Sequence, residues 1–131
     1  MKRRVLLLSL APAALAMTCQ AALAVTELAI FEQGAFDAAQ NDGKSILLHV
    51  AAPWCETCVA QREALKELEK VDAFKDYVVI SIDFDTQKDV MRRFNANSRS
   101  TLIVYKGKVE KGRVVAVTNP EDIGTLLEKT L

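Results

Sequence analysis

The run ILLHV, residues 46–50, is followed five residues later by a cysteine that opens an amphipathic segment. Four of the five side chains in this run are apolar and do not alternate with polar ones, which is typical of a strand covered on both faces. After the cysteine the period becomes helical, and one apolar stripe comprises Val59, Ala64, Leu65, Leu68 and Val71. The sequence therefore predicts a central strand that leads directly into a helix over residues 55–70, with helices needed on both sides of the sheet.

A second strand and two more helices follow from the same two periodicities. A short helix is predicted near residues 35–39, and it ends at the turn signal NDG, residues 41–43. Residues 77–84, YVVISIDF, are rich in β-branched side chains and form the second strand. The segment after it has an apolar face at helical spacing, which comprises Val90, Met91 and Phe94.

Two further strands and a final helix complete the predicted order. Residues 101–105 (TLIVY) and 113–118 (RVVAVT) flank the stretch KGKVEKG, whose two glycines and short length predict an antiparallel hairpin. Asn119 is a suitable cap for the last helix, and Pro120 suits its first position. With a short strand at the start, the order reads β-α-β-α-β-α-β-β-α.

The first 24 residues have the pattern of a secretory signal peptide, with a basic start, an apolar run and small residues before the cleavage point. The apolar run is short and is interrupted by Pro12, so a membrane-spanning helix fits it less well. We predict cleavage after Ala24, which removes Cys19 with the signal. The predicted destination is the periplasm, with no stable membrane insertion after cleavage.

The predicted mature chain, residues 25–131, is long enough for one domain with a single core. Three of the 17 basic residues and none of the 17 acidic ones lie in the signal segment, so the remaining 14 basic and 17 acidic residues give a net charge of −3. This charge predicts neither a nucleic-acid partner nor an anionic membrane as a partner.

Cys55 and Cys58 are the only cysteines of the predicted mature chain, and a pair at this spacing has three possible uses. A zinc site needs about four ligands, and His49 is the only histidine to join them, so a metal site within one chain is disfavoured. A structural staple across so short a loop stabilises the fold by only about 2 kcal/mol. A redox pair needs one thiol that ionises easily and a second within reach, and Cys55 at a helix N-terminus with Cys58 one turn deeper meets both needs. We therefore predict a redox pair, with Cys55 as the nucleophile and Cys58 as the resolving thiol.

The segment APWCETC, residues 52–58, placed after a buried strand, resembles the active site of the thioredoxin family. The order of elements, the pair Asp83 and Asp85, and the stretch TLIVYKG at residues 101–107 are similar to that family as well, over residues 25–131. The resemblance implies an α/β thioredoxin fold, in which helices flank a central mixed β-sheet. It also implies a thiol–disulfide oxidoreductase that acts on protein thiols and disulfides without a cofactor, with the same roles for the two cysteines.

Three positions depart from the family pattern. His49 stands where relatives carry a buried aspartate, and it is either a base for Cys58 or a core histidine satisfied by one hydrogen bond. Ser100 stands where relatives carry a cis-proline; because a cis bond before another residue costs about 2.5–4 kcal/mol, we predict a trans bond and a reshaped loop. In the family that proline also helps to keep metal off the cysteines, so a cluster or zinc ion shared by two chains is a further alternative. Ala116 replaces a frequent glycine and is expected to narrow the approach to the substrate groove.

The resemblance places four residues at the substrate groove: Trp54, Arg99, Ser100 and Thr101. Glu56 and Thr57 lie between the cysteines, where residues tune the reduction potential. The carboxylate of Glu56 disfavours a thiolate on Cys55 by repulsion, whereas the cation of Arg99 favours it. With a carboxylate in place of the histidine of strongly oxidising relatives, we expect a reducing or middling potential.

These observations predict a periplasmic thioredoxin-like protein that reduces disulfides in other proteins. In an oxidising compartment such a protein must be re-reduced, so the resemblance implies a membrane-bound electron donor. Two alternatives remain open. One is an oxidase or isomerase on the same scaffold, and the other is a non-catalytic module that binds a partner or a metal through its cysteines.

Overall fold

Residues 29–131 are described by the structure, which is a computed structural model. The predicted signal peptide, residues 1–24, and Cys19 lie outside the described residues. Within the described part of the chain, no helix combines the length and the apolar character needed to cross a membrane.

Five strands and four α-helices alternate in the predicted order along residues 29–131. The strands are β1 (Ala29–Ile30), β2 (Ser45–Ala51), β3 (Val78–Asp83), β4 (Thr101–Lys106) and β5 (Val109–Val115). The helices are α1 (Gln33–Asn41), α2 (Glu56–Leu68), α3 (Lys88–Arg93) and α4 (Pro120–Glu128), with a 3-10 turn at Asp72–Phe74. The predicted cap of the last helix is confirmed, since the side-chain oxygen of Asn119 accepts a hydrogen bond from the Glu121 N–H at 2.8 Å.

The strands form one mixed sheet in the order β1-β3-β2-β4-β5. β2 pairs in parallel with β3 and antiparallel with β4, so it lies at the centre of the sheet. Every residue of β2 after Ser45 is buried, which confirms the strand covered on both faces that its sequence predicts. The active-site candidates follow the carboxyl end of this central strand.

Two apolar cores cover the two faces of the sheet. Helices α1 and α3 close one face over a core that includes Phe36, Ile46, Leu48, Val50, Ile82, Val90, Met91 and Ile103. Helices α2 and α4 close the other face over a core that includes Leu47, Leu65, Leu102, Val104, Ile123, Leu126 and Leu127. Since burying one such side chain contributes about 1.5–3 kcal/mol, these two cores hold β2 and α2 firmly in place.

The hairpin loop is shorter than its sequence suggested. β4 ends at Lys106 and β5 begins at Val109, so most of the stretch KGKVEKG belongs to a strand rather than to a loop. Gly112 lies inside β5. A Cβ at this position would meet Leu126 Cδ1 at 3.1 Å and Lys129 Cδ at 3.3 Å, which explains why the residue is a glycine. The glycine therefore marks a close approach of α4 to the strand, not a turn.

The buried face of α2 also differs from its prediction. Ala64 and Leu65 are buried as predicted, but Val59 is 42% exposed, and Val71, which lies after the end of the helix, is 45% exposed. Cys58 and Gln61 are fully buried instead. A polar residue, Gln61, thereby occupies a core position.

Candidate active site

Cys55 and Cys58 lie at the junction of β2 and α2 and form a disulfide, with their Cα atoms 5.2 Å apart. Cys55 is the N-cap residue of α2, and its Sγ accepts a hydrogen bond from the Cys58 N–H at 3.2 Å. Unpaired N–H groups and the positive end of the helix dipole favour negative charge at this position. The structure therefore provides at Cys55 the environment that a thiolate nucleophile requires.

Ser100 reaches both sulfur atoms from the loop between α3 and β4. Its Oγ lies 3.2 Å from Cys55 Sγ and 3.2 Å from Cys58 Sγ. The residue is only 2% exposed. Of the predicted groove residues, Ser100 is thus the one in direct contact with the disulfide.

The backbone of Ser100 has a left-handed conformation, with φ 58. All peptide bonds within residues 29–131 are trans, including the bond between Arg99 and Ser100. The Ser100 N–H donates to the Val50 carbonyl at 2.7 Å. Proline has no N–H and is confined to φ near −65°, so it cannot adopt this loop conformation. The loop that contains Ser100 therefore has a backbone conformation that a proline at this position could not adopt.

His49 is fully buried on β2, as its place in the predicted strand implies. Its Nε2 lies 2.9 Å from Gln61 Oε1, and because an amide oxygen accepts, the imidazole is the donor. Its Nδ1 is buried and has no hydrogen-bond partner. Burial lowers the pKa of His49 to about 4, the Gln61 hydrogen bond opposes this shift, and the Arg62 cation adds to it. The side chain is therefore neutral at pH 7, with a free lone pair on Nδ1.

Gln61 connects His49 to the Ser100 loop. Its Nε2 donates to the Ser100 carbonyl at 3.0 Å and to the Val117 carbonyl at 2.9 Å. The Ser100 carbonyl also accepts from the Ala116 N–H at 2.9 Å. Sequence reasoning missed Gln61 because the apolar stripe was drawn through Val59. If Cys58 is taken as buried, the residue one turn later on the same face is Gln61. Its position would then predict a buried polar side chain that needs a hydrogen-bond partner.

A cavity of about 320 Å³ lies beside the disulfide, on the side of the Ser100 loop. Its lining comprises Thr57, Phe84, Asn97, Ser98, Arg99, Ser100, Val115 and Ala116. Arg99 and Ser100 thus line a cavity of the molecule, and their role in binding a substrate stays a prediction. Ala116 also lines this cavity, with φ 58, at the end of β5.

Trp54 directly precedes Cys55 in the chain, and its side chain is 56% exposed. Its Nε1 donates to Asp85 Oδ2 at 2.8 Å, and its ring packs edge-on against Phe84 at 6.0 Å between centroids. The Arg99 guanidinium lies 5.0 Å from the centre of the Trp54 ring, which is a cation–π distance. Thr101 is buried and donates its hydroxyl hydrogen bond to the Ser98 carbonyl at 2.7 Å. The structure therefore joins Trp54 to Arg99 at the surface, whereas Thr101 is a buried residue whose hydroxyl holds the loop at Ser98.

The acidic residues Asp83 and Glu56, near the ends of β3 and β2, differ in their surroundings. The Asp83 carboxylate accepts hydrogen bonds from the N–H groups of Thr86 and Asp85, which hold its pKa below the usual range. Glu56 is exposed in the first turn of α2. No three His, Cys, Asp or Glu side chains within residues 29–131 come close enough together to hold a metal ion. A metal shared between two chains through the cysteines stays an alternative to this reading.

Comparison with known proteins places this site in a family. A family model described as Thioredoxin matches residues 27–129. Thioredoxin H2-1 of Oryza sativa subsp. japonica is 28% identical over 96 residues, which is 73% of this chain and 64% of that protein. Thioredoxin 2 of Plasmodium falciparum is 28% identical over 86 residues, which is 66% of this chain and 54% of that protein. The chain thus spans between half and two thirds of the length of these two relatives.

Solved structures confirm the predicted fold. Trxlp from Edwardsiella tarda matches with a TM-score of 0.73 and 33% sequence identity, over 77% of this chain and 98% of that one. The oxidized form of mitochondrial thioredoxin 3 from Saccharomyces cerevisiae matches with a TM-score of 0.65 at 17% identity, over 77% of this chain and 93% of that one, which shows the fold alone. The five-stranded mixed sheet flanked by helices is the thioredoxin fold.

Proposed function

This chain belongs to the thioredoxin family, and we propose that it is a thiol–disulfide oxidoreductase that acts on other proteins through Cys55 and Cys58. The observation that carries the proposal is the position of the disulfide at the N-terminus of α2. There the Cys55 sulfur receives the Cys58 N–H, and Cys58 lies one turn deeper in the helix.

In the reducing direction the reaction has two exchange steps. The Cys55 thiolate attacks one sulfur of a substrate disulfide, a mixed disulfide forms, and the other substrate sulfur leaves as a thiolate that takes a proton from water. The Cys58 thiol then loses its proton and attacks Cys55 Sγ, which closes the Cys55–Cys58 disulfide and releases the second substrate thiolate. Two electrons pass from the dithiol to the substrate.

His49 is our candidate for the group that accepts the Cys58 proton. Support for this role comes from its buried, unpartnered Nδ1 and its neutral state at pH 7. A pKa of about 4 makes it a weak base in the oxidised protein. The thiolate that forms on Cys58 as its proton leaves attracts the imidazolium that forms on His49, and this charge attraction favours the proposed transfer despite the low pKa.

We propose reduction as the direction, with a reducing or middling potential. Glu56 and Thr57 occupy the two positions between the cysteines. The Glu56 carboxylate destabilises a thiolate on Cys55, and a less stable reduced form makes the protein a better reductant. The Arg99 cation stabilises a thiolate on Cys55, which opposes the effect of Glu56. Its guanidinium also interacts with the face of the Trp54 ring, which weakens its effect on the thiolate.

We propose the periplasm as the location, with a membrane-bound donor that returns electrons to the disulfide. The basis is the signal-like sequence of residues 1–24. Expression of the full chain in a bacterial host, followed by fractionation and intact-mass measurement, tests the location. A cytoplasmic product that retains residues 1–24 would overturn it.

A redox titration tests the enzymatic proposal. The protein is equilibrated in dithiothreitol and glutathione buffers, and the fluorescence of Trp54, the only tryptophan of the chain, reports the state of the disulfide. We expect a reversible two-electron couple near about −270 mV, the value of thioredoxin. A couple near about −120 mV makes the protein an oxidant, and the absence of a reversible couple leaves a binding module without redox activity.

Two cysteine variants serve as the controls for protein substrates. Cys58→Ser keeps the nucleophile but cannot resolve the mixed disulfide, so it is expected to retain substrate proteins covalently. Cys55→Ser is expected to retain none. Equal capture by both variants contradicts the assigned roles of the two thiols.

A further inference from the structure

Ser100 places a hydroxyl group at equal distance from the two reacting sulfur atoms. Its Oγ lies 3.2 Å from Cys55 Sγ and 3.2 Å from Cys58 Sγ. Neither sulfur of a disulfide carries a hydrogen, so the hydroxyl is the donor in both contacts. Rotation about the Cβ–Oγ bond directs its single hydrogen to either sulfur without any movement of the backbone.

We propose that Ser100 is a catalytic residue, whose hydroxyl donates a hydrogen bond to whichever sulfur carries the negative charge during exchange. In the attack on substrate it stabilises the Cys55 thiolate. In the resolving step the charge forms on Cys58, and the same hydroxyl turns to that sulfur. No proton leaves the serine in either step, so the electron and proton balance of the exchange is unchanged. This inference rests on the proposed thiol–disulfide exchange.

The burial of Ser100 makes this contact significant. The residue is 2% exposed, and its hydroxyl contacts only the two sulfurs among the hydrogen-bonding groups of residues 29–131. A hydrogen bond to an ionised group is roughly twice as strong as one between neutral groups. The hydroxyl therefore stabilises a thiolate more than it stabilises the disulfide, and it favours the reduced protein.

The backbone around Ser100 is fixed in a way that serves this contact. Its N–H donates to the Val50 carbonyl at 2.7 Å, and its carbonyl accepts from Gln61 Nε2 at 3.0 Å and from the Ala116 N–H at 2.9 Å. These three hydrogen bonds hold a left-handed conformation, φ 58, which a residue with a Cβ rarely adopts. Strain of this kind persists where the surroundings enforce it, and it is found preferentially at functional sites.

The test replaces Ser100 with alanine and with glycine. Both variants remove the hydroxyl, but they differ in the backbone, since glycine relieves the left-handed conformation and alanine does not. An effect that the two variants share therefore comes from the hydroxyl. Thr118→Ala is the matched control, because it removes an exposed hydroxyl from the loop after β5. The glycine variant keeps the test open if the alanine variant fails to fold.

The first measurement is the rate at which iodoacetamide alkylates Cys55 in the reduced protein, as a function of pH, with peptide mapping to assign the site. Only the thiolate reacts, so the midpoint of the profile reports thiolate formation independently of any substrate. We expect both Ser100 variants to shift this midpoint upward by about one pH unit, a tenfold change in the ratio of thiolate to thiol. Thr118→Ala is expected to leave the midpoint unchanged.

The second measurement is the redox equilibrium of each variant with dithiothreitol and glutathione. A tenfold loss in stability of the reduced form corresponds to a shift of about 30 mV towards more negative potentials. The role of Ser100 is overturned if both variants keep the alkylation midpoint and the reduction potential of the unmodified protein. A reversible couple in these variants leaves the proposed enzyme intact. The absence of a reversible couple in the unmodified protein overturns the proposed function itself.

Discussion

The two ends of the central sheet differ in the residues that adopt left-handed backbone. At the end away from the disulfide these residues are Gly43, with φ 65, and Gly107, with φ 55. At the disulfide end they are Ser100 and Ala116, both with φ 58. Asn95, with φ 51, follows α3 and is of a residue type that adopts this region more readily. Glycine adopts this region without penalty, whereas a residue with a Cβ is strained there by about 1–2 kcal/mol. The fold thus keeps relaxed turns at one end and strained ones at the other.

The interactions that hold the two ends differ accordingly. At the far end the turns are fixed by backbone hydrogen bonds, from Gly107 to the Lys44 carbonyl at 2.8 Å and from Gly43 to the Gln40 carbonyl at 3.1 Å. At the disulfide end backbone hydrogen bonds of Ser100 and Ala116 are present as well, and the side chain of Gln61 adds its own hydrogen bonds to the strained loop. A strained site needs a dedicated support, and a relaxed turn does not.

The largest effect is expected when that support is removed. Gln61→Leu deletes the hydrogen bonds to His49, to the Ser100 carbonyl and to the Val117 carbonyl. The buried His49 N–H then has no partner, and each unsatisfied buried group costs about 1–3 kcal/mol. We expect the free energy of unfolding of the oxidised protein to fall by about 4 kcal/mol in urea titrations.

A double variant identifies the cause of that loss. Replacing both partners of a buried hydrogen bond by apolar groups is far less costly than replacing one. His49→Leu combined with Gln61→Leu is therefore expected to recover part of the stability that Gln61→Leu loses. If the double variant is less stable than the single one by the full cost of a second core substitution, the two side chains do not form a coupled pair.

The next effect is a loss of stability in mild acid. His49 has a pKa of about 4 when folded and about 6.5 when unfolded, so the unfolded chain binds the additional proton between these values. Stability is therefore complete above pH 6.5 and falls as the pH decreases towards 4. Between pH 6.5 and pH 5 we expect the free energy of unfolding to decrease by about 1.5 kcal/mol, measured by urea titration at each pH.

The predicted loss of stability between pH 6.5 and pH 5 is due to His49 alone. His49 is the only histidine of the chain, and the lowered pKa values of Glu63 and Asp83 act below their ordinary values of 4.5 and 3.8. The double variant without His49 is expected to show no slope between pH 6.5 and pH 5. A slope that persists in it would assign the acid sensitivity to other groups.

The smallest effect comes from exchanging residue types between the two ends. Gly107→Ala introduces a Cβ at positive φ, 3.4 Å from the Gln40 carbonyl oxygen and 3.5 Å from Gly43 Cα, and is expected to destabilise the fold by about 1 kcal/mol. Ala116→Gly relieves strain at the disulfide end and is expected to stabilise it by up to about 1 kcal/mol. Thermal unfolding of the two variants measures both changes. Shifts of the same sign contradict the contrast between relaxed and strained ends.

The sequence predicts the parts of the fold that depend on local pattern. The unbroken apolar run of β2, the cap at Asn119 and the position of Cys55 at a strand-to-helix junction all follow from neighbouring residues. The burial of His49 also follows, because it lies inside that run. The family resemblance adds Ser100 as the residue opposite the cysteines.

The rest depends on contacts between distant segments. Gln61 was missed because its role exists only through His49, twelve residues earlier, and through two carbonyls on other loops. The left-handed backbone of Ser100 and Ala116 has no signal in residue type, since serine and alanine both rarely adopt it. The sequence predicts Gly112 as part of the hairpin loop, because the close approach of α4, which excludes a side chain there, is a tertiary contact.

The strand β5 is an edge strand of the sheet, with no neighbouring strand beyond it within residues 29–131. An exposed edge strand is a template on which a second molecule can add its own strand and begin a fibril. Here the pairing with β4 shifts register between Val104 and Tyr105, and the Arg113 guanidinium folds back onto Glu110 and the Phe94 carbonyl. The irregular pairing and the charges make this edge strand a poor template. Copies of the protein at high concentration are therefore expected not to polymerise through β5.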